Sequence, residues 1–348
     1  MLILLACAAA PEDSAPASAD PTVDGAWAVG RRTVLLDDGE RPLTVEVWYP
    51  TEQAALSSSV PEAYLSGAQQ LDYAALLAAA RPDCPTQTTT AVAEAEQAVG
   101  GSWPAVVFSH CHICTRFSSF TLAQRLASHG IIVVAPDHAG NTLFDDVPLD
   151  LSTETLELRR ADGVRALDAL MTGELGMVDL NADAIGAVGH SFGSVTAGLL
   201  AQTDPRIAAA MGIAAPMENP LLPGVDIARL AVPLMLVVAE EDNSISEVGN
   251  VLIRSNYDDA IGPIWKAEVE DAGHWSFSDL CGLVEEFAPG CGEGERQTEP
   301  GEAFVYLEPA QGREISATLA AAFFLQTLSG QRGPLDDLSL SGVTIDHR

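Results

Sequence analysis

The chain has 348 residues, of which 47% are hydrophobic, so it is long enough to bury a large core as one or two domains. Its 49 acidic and 17 basic residues give a formal net charge of −32 at pH 7. A surface this negative repels phosphate backbones and anionic membranes, which argues against nucleic acid as a partner.

Residues 1–24 are predicted to be a lipoprotein-type signal followed by a disordered linker. Leu4-Leu5-Ala6-Cys7 resembles the lipobox of bacterial lipoproteins, in which the cysteine receives a lipid, and an Ala-, Pro- and Ser-rich stretch follows it. The apolar stretch is short and lacks the basic start of a full export signal. We expect an extracytoplasmic protein anchored to the membrane through Cys7; the alternatives are a secreted protein and an incidental terminal cysteine.

Residues 25–348 are predicted to form a single α/β domain with a mostly parallel central sheet and helices on both faces. Alternation of apolar and polar residues indicates an antiparallel hairpin at 32–36 and 43–50, and a long surface excursion follows. Short β-branched runs then alternate with helical periodicity, as in βαβ units. The predicted strands are 105–108, 131–135, 184–188, 208–213, 234–238 and 265–269, and the predicted helices are 73–80, 118–130, 155–171, 194–201 and 314–328.

The strongest motif is Gly189-His190-Ser191-Phe192-Gly193, which follows a predicted strand and precedes a predicted helix. This is the G-x-S-x-G nucleophile elbow in the strand-turn-helix context that it requires. The two glycines allow a turn in which a side chain would strike a neighbouring element. The motif predicts the α/β-hydrolase fold with Ser191 as the nucleophile.

A serine nucleophile needs a histidine base and an acid that orients this base. In the chain order Ser, acid, His of this fold, Asp242 follows the predicted strand 234–238, and Glu241 and Glu240 are alternative acids. His274 lies in a Gly-containing loop after the strand 265–269. His347 is also downstream, but we set it aside because chain termini are usually mobile.

Two backbone amides are expected to form the oxyanion hole. One is the amide of Phe192, directly after the nucleophile. The other is the amide of His112, in the loop after strand 105–108, where Ser109-His110-Cys111-His112 stands. We interpret the ring of His110 as a hydrogen-bonded structural element of this loop and not as a second base.

The cysteines other than Cys7 are odd in number, so at least one of them should be free. Cys281 and Cys291 flank a loop that contains Gly and Pro, which makes them the most natural disulfide candidates in an exported protein. The run His110-Cys111-His112-Ile113-Cys114 has no second ligand pair with zinc-site spacing, so we expect no metal. The pairing otherwise stays open among Cys84, Cys111, Cys114, Cys281 and Cys291.

Five segments together resemble bacterial relatives of the platelet-activating-factor acetylhydrolase and dienelactone-hydrolase group. The likeness spans about Gly25 to Leu328, and residues 232–242 are also similar to the acid segment of cutinase-type polyester hydrolases. The five segments are Trp48-Tyr49-Pro50, Phe108-Ser109-His110, Ala135-Pro136-Asp137-His138, the elbow, and Ala272-Gly273-His274-Trp275-Ser276-Phe277-Ser278-Asp279. The resemblance implies hydrolysis of short-chain esters through an acyl-enzyme without a cofactor.

Three departures from these families favour a general esterase over either named activity. Cys111 replaces the glycine expected after His110. The loop 214–216 has no carboxylate where the acetylhydrolase branch carries its acid, and the nucleophile is serine where a dienelactone hydrolase has cysteine. We therefore expect a serine esterase for neutral or zwitterionic esters. The alternatives are a polyester- or lipid-cleaving enzyme and a catalytically inactive binding lipoprotein.

Overall fold

The computed structural model describes residues 19–348 except 38, 40 and 332. Cys7 lies outside the described residues, so its lipid attachment stays a prediction, as do the proposed signal and the linker up to residue 18. Residues 19–24 of the proposed linker are described, and Asp24 forms an ion pair with Arg125. In the part that is described, no helix is both long and apolar enough to cross a bilayer.

Apolar runs rich in β-branched residues form most of the long strands of the main sheet, as their composition predicts. In chain order the strands are β1 (Ala28–Leu36), β2 (Leu43–Thr51), β3 (Ser58–Ser59), β4 (Thr88–Thr89), β5 (Val92–Ala93), β6 (Trp103–Ser109), β7 (Ile132–Pro136), β8 (Leu180–His190), β9 (Ile207–Ile213), β10 (Leu234–Ala239), β11 (Ile264–Val269), β12 (Glu293–Glu295), β13 (Ala303–Val305) and β14 (Val343–His347). Across the described residues, ten of them form one sheet in the order β14-β11-β10-β9-β8-β6-β7-β2-β1-β5. The strands from β7 to β11 in this order run parallel, and the hairpin β1–β2 and strand β14 pair antiparallel.

Helices cover both faces of the sheet. They are α1 (Val60–Tyr64), α2 (Gly67–Ala79), α3 (Phe120–Ser128), α4 (Thr153–Met171), α5 (Phe192–Thr203), α6 (Ser246–Asp259) and α7 (Pro309–Thr327), with short 3₁₀ helices at Ile227–Arg229 and Glu285–Phe287. Along β6, Val106 and Phe108 pack into the core that holds α3 and α7, whereas Val107 faces α4 and α5. This alternation is the period of two expected of a strand covered on both faces. The predicted fold class is confirmed.

Helix α6 and strand β14 are among the elements that the sequence did not predict. Helix α6 was not predicted because it is mostly polar and buries few of its side chains. Strand β14 was not predicted because it is an exposed edge strand. On β14, His347 pairs with Trp265, so the chain end is held by the sheet. Terminal mobility was therefore the wrong reason for setting His347 aside; its side chain is exposed at the sheet edge.

The predicted disulfide between Cys281 and Cys291 is wrong. Cys291 pairs with Cys84, which lies 207 residues away in the long excursion after β2, and Cys281 is a free, buried thiol. The reason is tertiary: Cys281 packs in the hydrophobic core, whereas the excursion brings Cys84 against Gly282. Cys111 and Cys114 form the second disulfide, so their sulfur atoms are not thiolate metal ligands. No cluster of three or more His, Cys, Asp or Glu side chains suited to a metal occurs among the described residues.

Candidate active site

The nucleophile elbow lies at the carboxyl end of β8, in the middle of the sheet. Ser191 adopts φ 57° and ψ −122° between β8 and α5, a conformation that a non-glycine residue rarely takes. A Cβ atom on Gly189 would overlap the backbone of Gly193, and one on Gly193 would overlap the backbone of Ser109 on β6. The glycines thus permit the close approach that lifts Ser191 above the sheet, as the motif predicted.

A continuous chain of hydrogen bonds joins the three side chains predicted for the triad. The Ser191 hydroxyl donates to His274 Nε2 at 2.8 Å, and His274 Nδ1 donates to Asp242 Oδ2 at 2.7 Å. Asp242 and His274 are buried, and Ser191 is half-buried. The backbone amides of Ser244 and Ile245 donate to Asp242 Oδ1 at 2.9 and 3.0 Å, which fixes the orientation of the carboxylate. This geometry suits proton transfer from Ser191 to His274.

The two alternative acids point elsewhere. Glu241 is fully buried, and its carboxylate accepts hydrogen bonds from Arg296 Nη1, from the amides of Gln297 and Thr298, and from the Thr298 hydroxyl. Glu240 accepts a long hydrogen bond from the amide of Asp271. The structure therefore brings Asp242 to the imidazole and uses Glu241 to hold the segment after β12.

The two residues predicted for the oxyanion hole line one cavity together with Ser191. Phe192 is the first residue of α5, where backbone amides lack partners within the helix. His112 lies in the loop after β6, its ring 6.4 Å from that of Phe192 between centroids, and both residues line the cavity together with Ser191. The Cys111–Cys114 disulfide brackets His112 and restricts this loop.

The ring of His110 is a structural element, as the sequence analysis interpreted it. Its Nδ1 donates to the carbonyl of Cys111 at 2.7 Å, and its Nε2 accepts from the amide of His138 at 3.0 Å. Burial, followed by the nearby charges of His138 and Arg159, holds the pKa of His110 well below its usual value. A neutral ring with both nitrogen atoms engaged is not available as a second base.

His190 supports His274, and this contact was not predicted from the sequence. Its Nε2 donates to the carbonyl of His274 at 2.8 Å, and the two rings lie 5.1 Å apart. Burial, followed by the neighbouring His274, lowers the pKa of His190 to about 3, so this ring is neutral. No local pattern signals this role, because the partner carbonyl is 84 residues away along the chain.

A cavity of about 400 Å³ opens beside Ser191 and is lined mostly by aliphatic side chains. Ala215 and Pro216 follow β9, and α6 contributes Val248 and Leu252. Among the described residues, no lysine, arginine, aspartate or glutamate lines this cavity. Such a lining accepts an uncharged, apolar group next to the nucleophile.

Comparisons with known proteins agree with the fold. A family model described as platelet-activating factor acetylhydrolase, isoform II, matches residues 13–144, and a model of the dienelactone hydrolase family matches residues 89–261. No curated protein sequence matches the chain. A ferulic acid esterase from Streptomyces cinnamoneus is similar in structure, with a TM-score of 0.68 and 23% sequence identity over 95% of this chain and 98% of that chain. The predicted resemblance to the two hydrolase families is confirmed, and the likeness to cutinases stays a prediction.

Proposed function

We propose that this chain, which has the α/β-hydrolase fold and matches models of two ester-hydrolase families over parts of its length, cleaves short-chain neutral or zwitterionic esters through an acyl-enzyme on Ser191. The observation that carries this proposal is the hydrogen-bonded chain from Ser191 through His274 to Asp242, at 2.8 and 2.7 Å. A buried carboxylate that fixes the tautomer of the histidine is what makes a serine hydroxyl reactive.

The reaction follows from the positions of these groups. His274 Nε2 takes the proton of Ser191 as Oγ attacks the ester carbonyl carbon, and the carbonyl oxygen becomes an oxyanion that faces the amides of Phe192 and His112. The protonated His274 then donates this proton to the departing alkoxide, which leaves as an alcohol. Water attacks the acyl-enzyme after His274 removes its proton, and the acid is released with Ser191 regenerated. Asp242 holds the tautomer of His274 and stabilises the imidazolium in both halves of the reaction.

The character of the cavity supports the substrate class. Its lining of aliphatic side chains without lysine or arginine, among the described residues, offers no partner for a charged acyl group. The net charge of −32 also lowers the local concentration of anionic esters. Both features favour an uncharged acyl group, and the ferulic acid esterase suggests phenolic esters as additional substrates for a first panel.

A second candidate function is cleavage of polyesters or lipids, and one observation favours it. Three aliphatic side chains that line the cavity are strongly exposed: Leu151 at 53%, Leu221 at 85% and Val248 at 71%. An apolar rim around a catalytic cavity suits contact with an apolar substrate surface. Rates on dissolved and emulsified forms of the same neutral ester distinguish the candidates, because only a surface-active enzyme accelerates when the ester forms droplets.

The decisive experiment changes Ser191 to Ala. Because this removes the nucleophile, we expect ester hydrolysis to fall by a factor on the order of 10⁴ to 10⁶ with folding intact, and covalent labelling by a fluorophosphonate to disappear. The matched control for labelling is Ser109→Ala, since Ser109 is a second serine that donates to a histidine, His138, at 2.9 Å, but is buried. Residual activity of more than a few per cent in Ser191→Ala contradicts the assignment, and a wild-type protein that is not labelled indicates a binding protein instead.

A further inference from the structure

Arg159, on α4, is a buried cation without an anionic partner. Its side chain is among the largest that are fully buried, and it forms no ion pair with any carboxylate in the described part of the chain. The nearby carboxylate of Asp162 instead accepts hydrogen bonds from Arg41 and His138. Burial lowers the pKa of Arg159 to about 9, which leaves the guanidinium charged at neutral pH. The charge of Asp162 favours the charged form of Arg159 from nearby, but without a direct ion pair the burial of this cation remains costly.

The hydrogen bonds of Arg159 all go to neutral oxygen atoms around the active site. Nε donates to the Thr196 hydroxyl at 3.2 Å, Nη1 donates to Asn141 Oδ1 at 2.6 Å, and Nη2 donates to the Ser109 hydroxyl at 3.1 Å. Nη2 also donates to the carbonyl of His110. The positive charge is therefore held in place but is not neutralised by these contacts.

Arg159 connects the two segments that carry the proposed oxyanion donors. It holds the carbonyl of His110, two residues before His112, and it binds Asn141, whose Nδ2 donates to His112 Nδ1 at 2.7 Å. On the other side, the guanidinium carbon lies 4.6 Å from the centroid of the Phe192 ring. One buried side chain thus contacts Phe192 and is linked through Asn141 to His112, the two residues proposed to donate to the oxyanion.

We propose that Arg159 is a positioning residue for the oxyanion hole, which aligns the amides of His112 and Phe192 and adds positive potential behind the developing oxyanion. This inference rests on the proposed serine-esterase function. The ester carbonyl is neutral in the ground state and negative in the transition state, so a fixed buried cation stabilises the transition state more than the bound substrate. Its loss should therefore lower kcat and leave KM nearly unchanged.

The hydrogen bonds around Arg159 include a second serine-histidine-aspartate arrangement, but its geometry argues against a catalytic role. Ser109, His138 and Asp162 form a second Ser-His-Asp chain, with distances of 2.9 Å from Ser109 Oγ to His138 Nε2 and 3.1 Å from His138 Nδ1 to Asp162 Oδ2. Ser109 is only 2% exposed, and its oxygen accepts a hydrogen bond from Arg159. A substrate cannot reach this buried serine, so the Ser109-His138-Asp162 hydrogen bonds support the loop that carries His112.

The test compares Arg159→Met and Arg159→Lys with Arg125→Met. Arg125 on α3 is also buried, 6% exposed against 1% for Arg159, but it forms ion pairs with Asp24 and Glu314, and it serves as the control for loss of a buried cation. The assay uses neutral short-chain esters at a temperature below the unfolding of each variant. We expect Arg159→Met to lower kcat by about 10² to 10³, with KM changed less than about threefold. Arg159→Lys should recover part of this loss. Inhibition by a trifluoromethyl ketone, which forms a tetrahedral adduct with the serine, should weaken by the same factor as kcat/KM.

The outcomes separate this inference from the function on which it rests. A wild-type protein without esterase activity or fluorophosphonate labelling overturns both. An active, labelled wild type whose Arg159→Met variant keeps kcat within about threefold, or loses activity only in proportion to its folded fraction as Arg125→Met does, overturns the role of Arg159 alone. If Arg159→Met does not fold, Asn141→Ala replaces it, because it breaks the link between Arg159 and His112; we then expect kcat to fall about tenfold, and an unchanged kcat counts against the proposal.

Discussion

Asp242 and Glu241 are adjacent carboxylates with different tasks, although both are fully buried. Asp242 accepts from His274 Nδ1 at 2.7 Å, whereas Glu241 accepts from Arg296 Nη1 at 2.9 Å and from the amide of Gln297 at 2.6 Å. The turn after β10 therefore separates a carboxylate suited to catalysis from a carboxylate that holds a loop. Two conservative substitutions can distinguish these tasks.

Asp242→Asn should lower kcat by about 10⁴, because an amide lets the imidazole adopt the wrong tautomer. Glu241→Gln should leave kcat within about tenfold but lower the free energy of unfolding by about 1 to 3 kcal/mol, since its amide group places a donor where donors already point. Steady-state kinetics and urea unfolding of both variants check this. If Glu241→Gln loses the activity and Asp242→Asn keeps it, the acid has been assigned to the wrong carboxylate.

His190 links the stability of the fold to pH. Burial, followed by the neighbouring His274, lowers the pKa of His190 from its usual value of 6.5 to about 3. The unfolded chain therefore binds a proton at this residue below about pH 6.5, while the folded chain does not until about pH 3. The contribution of His190 to stability is complete above pH 6.5 and is lost progressively as the pH falls towards 3.

We expect His190→Gln, whose side chain does not titrate, to make the free energy of unfolding depend less on pH. Between pH 6 and pH 4, the free energy of unfolding of the wild type should fall more steeply than that of the variant by about 1.4 kcal/mol per pH unit, the effect of one proton. Chemical unfolding at several pH values measures both slopes. Parallel curves for the two proteins would show that His190 titrates normally in the folded state.

At the scale of elements, the Cys84–Cys291 disulfide joins the excursion after β2 to the segment that supports the His274 loop. The amide of Trp275 donates to the carbonyl of Pro289 at 2.9 Å, and the hydroxyl of Ser276 donates to the carbonyl of Gly290 at 3.3 Å. Cys291 directly follows this support. The disulfide therefore stabilises a contact on which the position of the catalytic histidine depends.

Replacing Cys84 and Cys291 together by serine should lower the free energy of unfolding by about 5 kcal/mol, the chain-entropy value for a loop as long as the 207 residues closed here. Replacing both prevents the buried thiol of Cys281 from pairing with a remaining partner. Cys281→Ala, which leaves the disulfide intact, is the control and should cost much less. Denaturant unfolding of the three proteins compares them, and equal losses in the double variant and the control would contradict a stabilising role for the disulfide.

For the whole molecule, the net charge of −32 sets the long-range electrostatics. A cationic patch that binds acidic substrates would need exposed arginines, for which Arg116, Arg159 and Arg160 are candidates. The structure buries Arg116 between Glu46 and Asp137, buries Arg159, and pairs Arg160 with Glu157. These three arginines therefore do not form an exposed site for acidic substrates.

A matched pair of short esters, one neutral and one bearing a carboxylate, tests the consequence. At low salt the neutral ester should have the higher kcat/KM, because the surface potential repels its anionic counterpart. The difference should narrow between 0.1 M and 1 M salt, as the Debye length falls from about 10 Å to about 3 Å. A preference for the carboxylate ester at low salt that disappears at high salt would reveal a cationic binding site near the cavity.

The sequence by itself determined the fold class and the candidate triad. The elbow around Ser191 is recognisable because a tight strand-turn-helix junction requires glycines at fixed neighbouring positions. The order of Ser191, Asp242 and His274, each after a β-branched run, follows from a parallel sheet that gathers loops at one edge. These signals are local in the chain, so composition and spacing alone reveal them.

Tertiary structure decided the features that depend on residues far apart in the chain. It pairs Cys291 with Cys84 instead of Cys281, ties His190 to the carbonyl of His274, and buries Arg159 behind the oxyanion loop. No periodicity or fixed spacing in the sequence marks these contacts, because each of them forms only when the sheet and its covering helices pack together. A single sequence records which side chains are available, but the partner of a buried polar group is chosen by the packing around it.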